Sequence, residues 1–172
     1  MVLGISLAFN CNMLAGVISI VLTIAILTYD AYFKQFGFSG PLNMGICRGL
    51  NLLLGMSIVS EISNWYIAIV PVIYIFAITL ISRGEVHGNN KKHIVWAGIL
   101  YAIVIATITF IVMQQTDEIL VLTPFLLLFG FLIFLPLLKA YKDNSPKNIK
   151  KAVISGVLSL VIMNACWVAG FS

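Results

Sequence analysis

The chain is 172 residues long, 61% hydrophobic and only 9% charged, with a formal net charge of +4 and a mean hydropathy of +1.08. A soluble domain averages about 45–50% apolar and about 25% charged residues, and a small domain keeps much of its surface wet. These residues therefore exclude a water-soluble fold and require lipid as their covering solvent. The basic excess lies in short loops between apolar runs rather than on one soluble face, which excludes nucleic acid as the partner.

In hydrocarbon every backbone N–H and C=O needs an internal partner, which leaves helices or a closed barrel. The apolar runs are about 20 residues long and do not alternate, so they predict an all-α, polytopic transmembrane bundle. Residues 1–9 read as the last turns of an earlier helix, and Met1–Ser6 carries no basic residue that would predict a cleavable signal peptide. Six full spans follow, at roughly 13–30, 42–60, 65–82, 93–113, 119–138 and 149–171. The whole of 1–172 reads as a single transmembrane domain.

The loops give the orientation. Nine of the ten basic residues fall in loops 31–41, 83–92 and 139–148 or at their flanks: Lys34, Arg83, Lys91, Lys92, Lys139, Lys142, Lys147, Lys150 and Lys151. The intervening loops carry Glu61 and the Asp117–Glu118 pair, with no Lys or Arg. The positive-inside rule predicts a multi-pass protein with the three basic loops cytoplasmic, in a bacterial inner membrane or its equivalent. Cys11, Cys47 and Cys166 lie far apart without a CxxC, which argues against a disulfide framework or a metal cluster. Trp65 and Trp96 suit interface anchoring; Asn164 suits interhelical hydrogen bonding.

Three polar clusters stand out, all expected at the cytoplasmic face, where together they suggest a shared pocket. The first is Tyr29, Asp30 and Lys34 at the end of the first full span; the tyrosine and lysine fit an interfacial belt, whereas a carboxylate there is less expected. The second is Arg48, the tenth basic residue, inside the second span with Asn43 upstream. A charge within the membrane costs roughly 2.5–3.5 kcal/mol on insertion scales and usually faces a bundle interior or a wet cavity. Asn51 and Gly55 share its helical face, while Gly45-xxx-Gly49 marks another face for close helix approach. Arg48 can snorkel to the headgroups, but its depth, about two turns inside the expected cytoplasmic end, favours a polar cavity. The third cluster is Arg83, Glu85, His87, Asn89 and Lys91, in which Glu85 and His87 could ligate a divalent ion and the cations could hold phosphate oxygens. A polar, basic inter-helix loop of no special function looks much the same.

Tyr29-Asp30-xxx-Lys34, the block from Gly40-Pro41-Leu42-Asn43-Met44-Gly45 through Arg48-Gly49-Leu50-Asn51 to Gly55-Met56-Ser57, and Ser82-Arg83-Gly84-Glu85-Val86-His87-Gly88 resemble the UbiA superfamily of intramembrane prenyltransferases, closest to the branch encoded in Ebo-type gene clusters. The resemblance runs in order over essentially the whole chain, which is similar to helices three to nine of such a bundle. It implies a central cavity opening to the cytoplasm, and transfer of a prenyl group from an isoprenyl diphosphate to a lipophilic acceptor, with Mg²⁺ bridging the diphosphate. Loop 82–90 corresponds to the family's second aspartate-rich motif, here reduced to Glu85 with His87 and Asn89 as the tentative metal ligands. The first motif, Asn-Asp-xx-Asp-xxx-Asp, has no counterpart. That implies an N-terminally truncated chain, a partner that supplies the missing motif, or a protein that binds or carries prenyl lipids without catalysis. On the enzyme reading Glu85 and Asp30 orient the metal or acceptor, and Lys34, Arg48, Arg83 and Lys91 stabilise the leaving diphosphate, with Tyr29, Asn43 and Asn51 lining the cavity. A small transporter is the third reading, against which stands the lack of paired broken helices or an internal repeat.

Overall fold

The computed structural model describes residues 1–58, 64–85, 91–116 and 119–171. Among them every regular element is helical: α1 Val2–Cys11, α2 Met13–Ala31, α3 Ser39–Met56, α4 Ile69–Ser82, α5 Lys91–Gln115, α6 Ile119–Lys142, α7 Pro146–Leu158 and α8 Leu160–Phe171, with short 3-10 turns at Phe33–Gln35 and Trp65–Ala68. Five stretches are long and apolar enough to cross a membrane: Met13–Ala31, Trp65–Ser82, Lys91–Gln115, Ile119–Lys142 and Pro146–Phe171. Their outward faces are themselves apolar, with Leu120, Leu127, Phe131, Val161 and Val168 all more than 60% exposed. Such a surface belongs against lipid and marks an integral membrane protein.

The sixth expected span, 42–60, is not among the five. The helix at that place, α3, is long enough, but Asn43, Arg48, Asn51 and four glycines keep it polar. Other differences are local. Asn12 separates α1 from α2: its backbone is extended, and its side chain accepts a hydrogen bond from the Ala15 N–H at 2.7 Å, capping the new helix. The last two helices continue the expected final span with a break at Ser159, whose hydroxyl donates back to the Ser155 carbonyl at 2.7 Å. α6 runs to Lys142, past the expected end at 138, because its lysines carry the helix into water.

Contacts divide the chain into two compact units, Met1–Phe76 and Ala77–Ser172. In the first, α2 packs against both α1 and α3. The Asn43 amide donates to the Ala25 carbonyl at 3.0 Å, tying α3 to α2, and Asn12 donates to the Ser57 carbonyl at the end of α3. The Gly45–Gly49 face meets the start of α4. A Cβ on Gly45 would lie 2.5 Å from the Val72 carbonyl oxygen, and one on Gly49 2.5 Å from Val72 Cγ2, so the two helices approach at backbone distance. Phe38 and Phe76 close this end edge to face at 5.4 Å.

In the second unit α6 is central, packing against α5, α7 and α8. Pro136, one of its two interior prolines, has no N–H for the Leu132 carbonyl one turn back. The Ser155 hydroxyl of α7 donates to that carbonyl at 2.7 Å instead. Thr116 donates to the Gly170 carbonyl at 2.7 Å, and a Cβ on Gly170 would meet Val112 Cγ2 at 2.5 Å, so α5 and α8 are also in close approach.

Candidate functional site

The first unit contains six of the expected site residues. α2 ends at Ala31, which puts Tyr29 and Asp30 in its last turn and Lys34 in the 3-10 turn that follows. Asp30 is exposed, and a carboxylate in the last turn of a helix opposes the helix dipole. It lies close enough to α3 for its charge to act on the Cys47 thiol. Asn43 is buried, and its amide is engaged with α2, which makes it a tie between helices before anything else.

Arg48 lies nine residues into α3, about 14 Å along the axis from Ser39 at 1.5 Å per residue. It is half-buried and makes no hydrogen bond or ion pair with the described residues. The face it shares with Asn51 and Gly55 is the expected one, opposite in role to the Gly45–Gly49 face that is closed by Val72. Asn51 and Gly55 continue into an open groove of about 280 Å³ between α1, α2 and α3, whose remaining walls are Leu7, Ala8, Cys11, Ala15, Leu54 and Ile58. One end of this face is cationic and the other apolar, with a single amide between them. That order suits an amphiphile with a negative head and a hydrocarbon tail.

The second unit contains Arg83, Glu85 and Lys91. α4 closes with two turns, Gly84 N–H to the Ile81 carbonyl and Glu85 N–H to the Ser82 carbonyl, both 3.0 Å, leaving Arg83 exposed and Glu85 half-buried. Lys91 places its ammonium 5.8 Å from the centre of the Tyr141 ring, a cation–π contact. His87 and Asn89 lie outside the described residues. Among the described residues no three His, Cys, Asp or Glu side chains come together, and Mg²⁺ requires several oxygen ligands in octahedral geometry. The described donors do not make up a Mg²⁺ site.

Sequence reasoning missed the part that α1 plays in the groove, although Asn12 before a second apolar run is a recognisable helix-start signal. It also missed the cleft between α6 and α7, lined by Lys139, Asn148 and Lys151 over Leu135 and Pro136. A wider apolar groove of about 410 Å³ between α5 and α6 carries no titratable side chain. No family model, curated protein or solved structure matches the chain.

Proposed function

We propose that the chain is a UbiA-like intramembrane prenyltransferase bundle in which α3 is a sixth, polar crossing and the basic loops face the cytoplasm. The observation that carries this reading is Arg48, a half-buried cation without a partner among the described residues, on the face that continues into the apolar groove at Asn51. The isoprenyl diphosphate lies with its negative head at Arg48 and its hydrocarbon tail towards Leu54 and Ile58. In the reaction the allylic C–O bond breaks with its electron pair leaving on the diphosphate. Arg48 and Lys34 stabilise that charge where water is scarce. The apolar walls keep water from the allylic cation until the acceptor's nucleophile forms the new bond and gives its proton to the departed diphosphate, and Asp30 orients that acceptor.

A second reading, a prenyl-lipid binding protein without transfer, is favoured by the single carboxylate, Glu85, that loop 82–90 offers where the resembled motif has several. One experiment separates the two. The protein in proteoliposomes is given radiolabelled geranyl, farnesyl or geranylgeranyl diphosphate with Mg²⁺, and both bound label and lipid-soluble product are measured. Arg48→Ala is expected to weaken binding about 10- to 100-fold, the range for a hydrogen bond to a charged group. Binding with no product selects the carrier. Binding that is indifferent to Arg48→Ala overturns the placement of the diphosphate.

A further inference from the structure

The cleft between the end of α6 and the start of α7, in the second unit, belongs to none of the residues assigned above. It has a volume of about 150 Å³ and is lined by Leu135, Pro136, Lys139, Asn148 and Lys151. Two lysine side chains thus line one small cavity. Neither makes an ion pair or hydrogen bond with a described residue. The one nearby acid, Asp143, is held by its own turn: the Asn148 amide donates to its Oδ2 at 2.7 Å and to its carbonyl at 3.1 Å, and the Ser145 hydroxyl donates to the same Oδ2 at 3.3 Å. The hairpin has five lysines, Lys139, Lys142, Lys147, Lys150 and Lys151, against that single engaged carboxylate. The amino-terminal end of α7, a helix of 13 residues starting at Pro146, adds its own positive dipole end.

Depth selects the anion. Ile119–Lys142 and Pro146–Phe171 are both long and apolar enough to cross a membrane, so the turn between them lies at the water boundary. Lys139 is four residues before Asp143 and Lys151 six after Ser145, about 6 and 9 Å from the turn along the helix axes. The headgroup layer on each side of a bilayer is roughly 5–8 Å thick, so both lysines leave their helices near its inner edge, from which a lysine stem reaches the phosphate level. Beneath them Leu135 and Pro136 present an apolar floor where an acyl chain begins. Basic pockets between membrane helices recognise anionic lipid headgroups by this arrangement.

We propose that this cleft binds the phosphate of an anionic phospholipid, with Lys139 and Lys151 as its counter-charges and the turn held open by the Asn148–Asp143 pairing. Such a lipid clamps α6 to α7 from the water side, where the Ser155–Leu132 bond already joins them deeper down.

The test measures retention of phosphatidylglycerol and of phosphatidylcholine on the detergent-purified protein by native mass spectrometry. Lys139→Gln with Lys151→Gln is expected to weaken phosphatidylglycerol binding about 30-fold, some 5-fold for each lysine near a membrane surface, and to leave phosphatidylcholine unchanged. Lys142→Gln with Lys147→Gln removes the same charge outside the cleft and is expected to cost only a small part of that. Lys139→Arg with Lys151→Arg keeps both charges and is expected to retain the lipid, which guards against loss of fold in the glutamine pair. Equal losses in the two glutamine pairs would show a diffuse attraction and overturn the site. Displacement of the lipid by millimolar inorganic phosphate would likewise overturn it, in favour of a free-phosphate site.

Discussion

Replacing Gly45 by alanine adds one methyl group at a place already filled by a backbone atom. The new Cβ would lie 2.5 Å from the Val72 carbonyl oxygen and 3.3 Å from its carbon. Reaching even 3.0 Å requires a shift of half an ångström between α3 and α4, and a carbonyl inside a helix cannot rotate away as a side chain can. Overpacking of this kind costs typically 1–3 kcal/mol. Alanine also gains about 1 kcal/mol over glycine in a helix interior, which hides part of the loss. Gly55 on the same helix removes that ambiguity, because a Cβ there meets nothing within 4 Å and receives the same propensity gain. The difference between Gly45→Ala and Gly55→Ala isolates the clash, and it is expected to be about 1–3 kcal/mol in unfolding of the detergent-solubilised protein. Gly49→Ala supplies a further check. Its new Cβ meets the Val72 side chain at 2.5 Å and the Ala68 carbonyl oxygen at 3.1 Å, so Val72→Ala is expected to rescue most of its loss and little of the Gly45→Ala loss. Equal stability of Gly45→Ala and Gly55→Ala would refute the close approach of α3 to α4.

Ser155→Ala leaves the Leu132 carbonyl without its donor and is expected to cost about 0.6–1.7 kcal/mol, the range for interhelical hydrogen bonds in a membrane. Pro136→Ala restores an N–H to that carbonyl, so in its background Ser155→Ala is expected to be near neutral; a full loss there would reject the pairing. Asn12→Ala removes the α2 cap and the bond to Ser57, for an expected loss of about 1–2 kcal/mol measured in the same unfolding assay. Thr116→Val deletes the donor to the Gly170 carbonyl and is expected to lower stability by about 0.6 kcal/mol, with Gly170→Ala lowering it further through contact with Val112. For orientation, cysteines placed at Lys34 and at Lys147 are expected to react with a membrane-impermeant maleimide only from the cytoplasmic side, and a cysteine at Glu61 only from the opposite side. Labelling of Lys34→Cys and Lys147→Cys from opposite sides would remove α3 as a crossing, since an odd number of spans would then separate them.

Much of the architecture was legible because hydropathy and helical period are local properties. Of the six expected spans, five match membrane-long apolar helical stretches to within a few residues, and the Gly45-xxx-Gly49 spacing pointed to a face built for close approach. Asn51 and Gly55 fell on the face of Arg48 because residues three and seven apart must do so on any α-helix. The composition of α3, with Asn43, Arg48, Asn51 and four glycines, already set it apart from the five apolar stretches, although its length alone suits a crossing. Length and period could not name partners. Asn43, expected in a cavity, bonds to Ala25; Gly45 meets the carbonyl of Val72; the bond that Pro136 leaves open at Leu132 is closed by Ser155 on another helix. Each of those pairings joins residues 18 to 27 positions apart in the chain, and which carbonyl faces which donor depends on helix rotation and crossing in the packed unit. The sequence by itself determined helices, their lipid-facing character and the charge on their loops, since lipid demands these of each segment separately. Only the packed structure decided that Arg48 has no counter-charge among the described residues, that α1 walls the groove beside Asn51, and that Lys139 and Lys151 share one cleft, because such proximity is a property of neighbouring helices together.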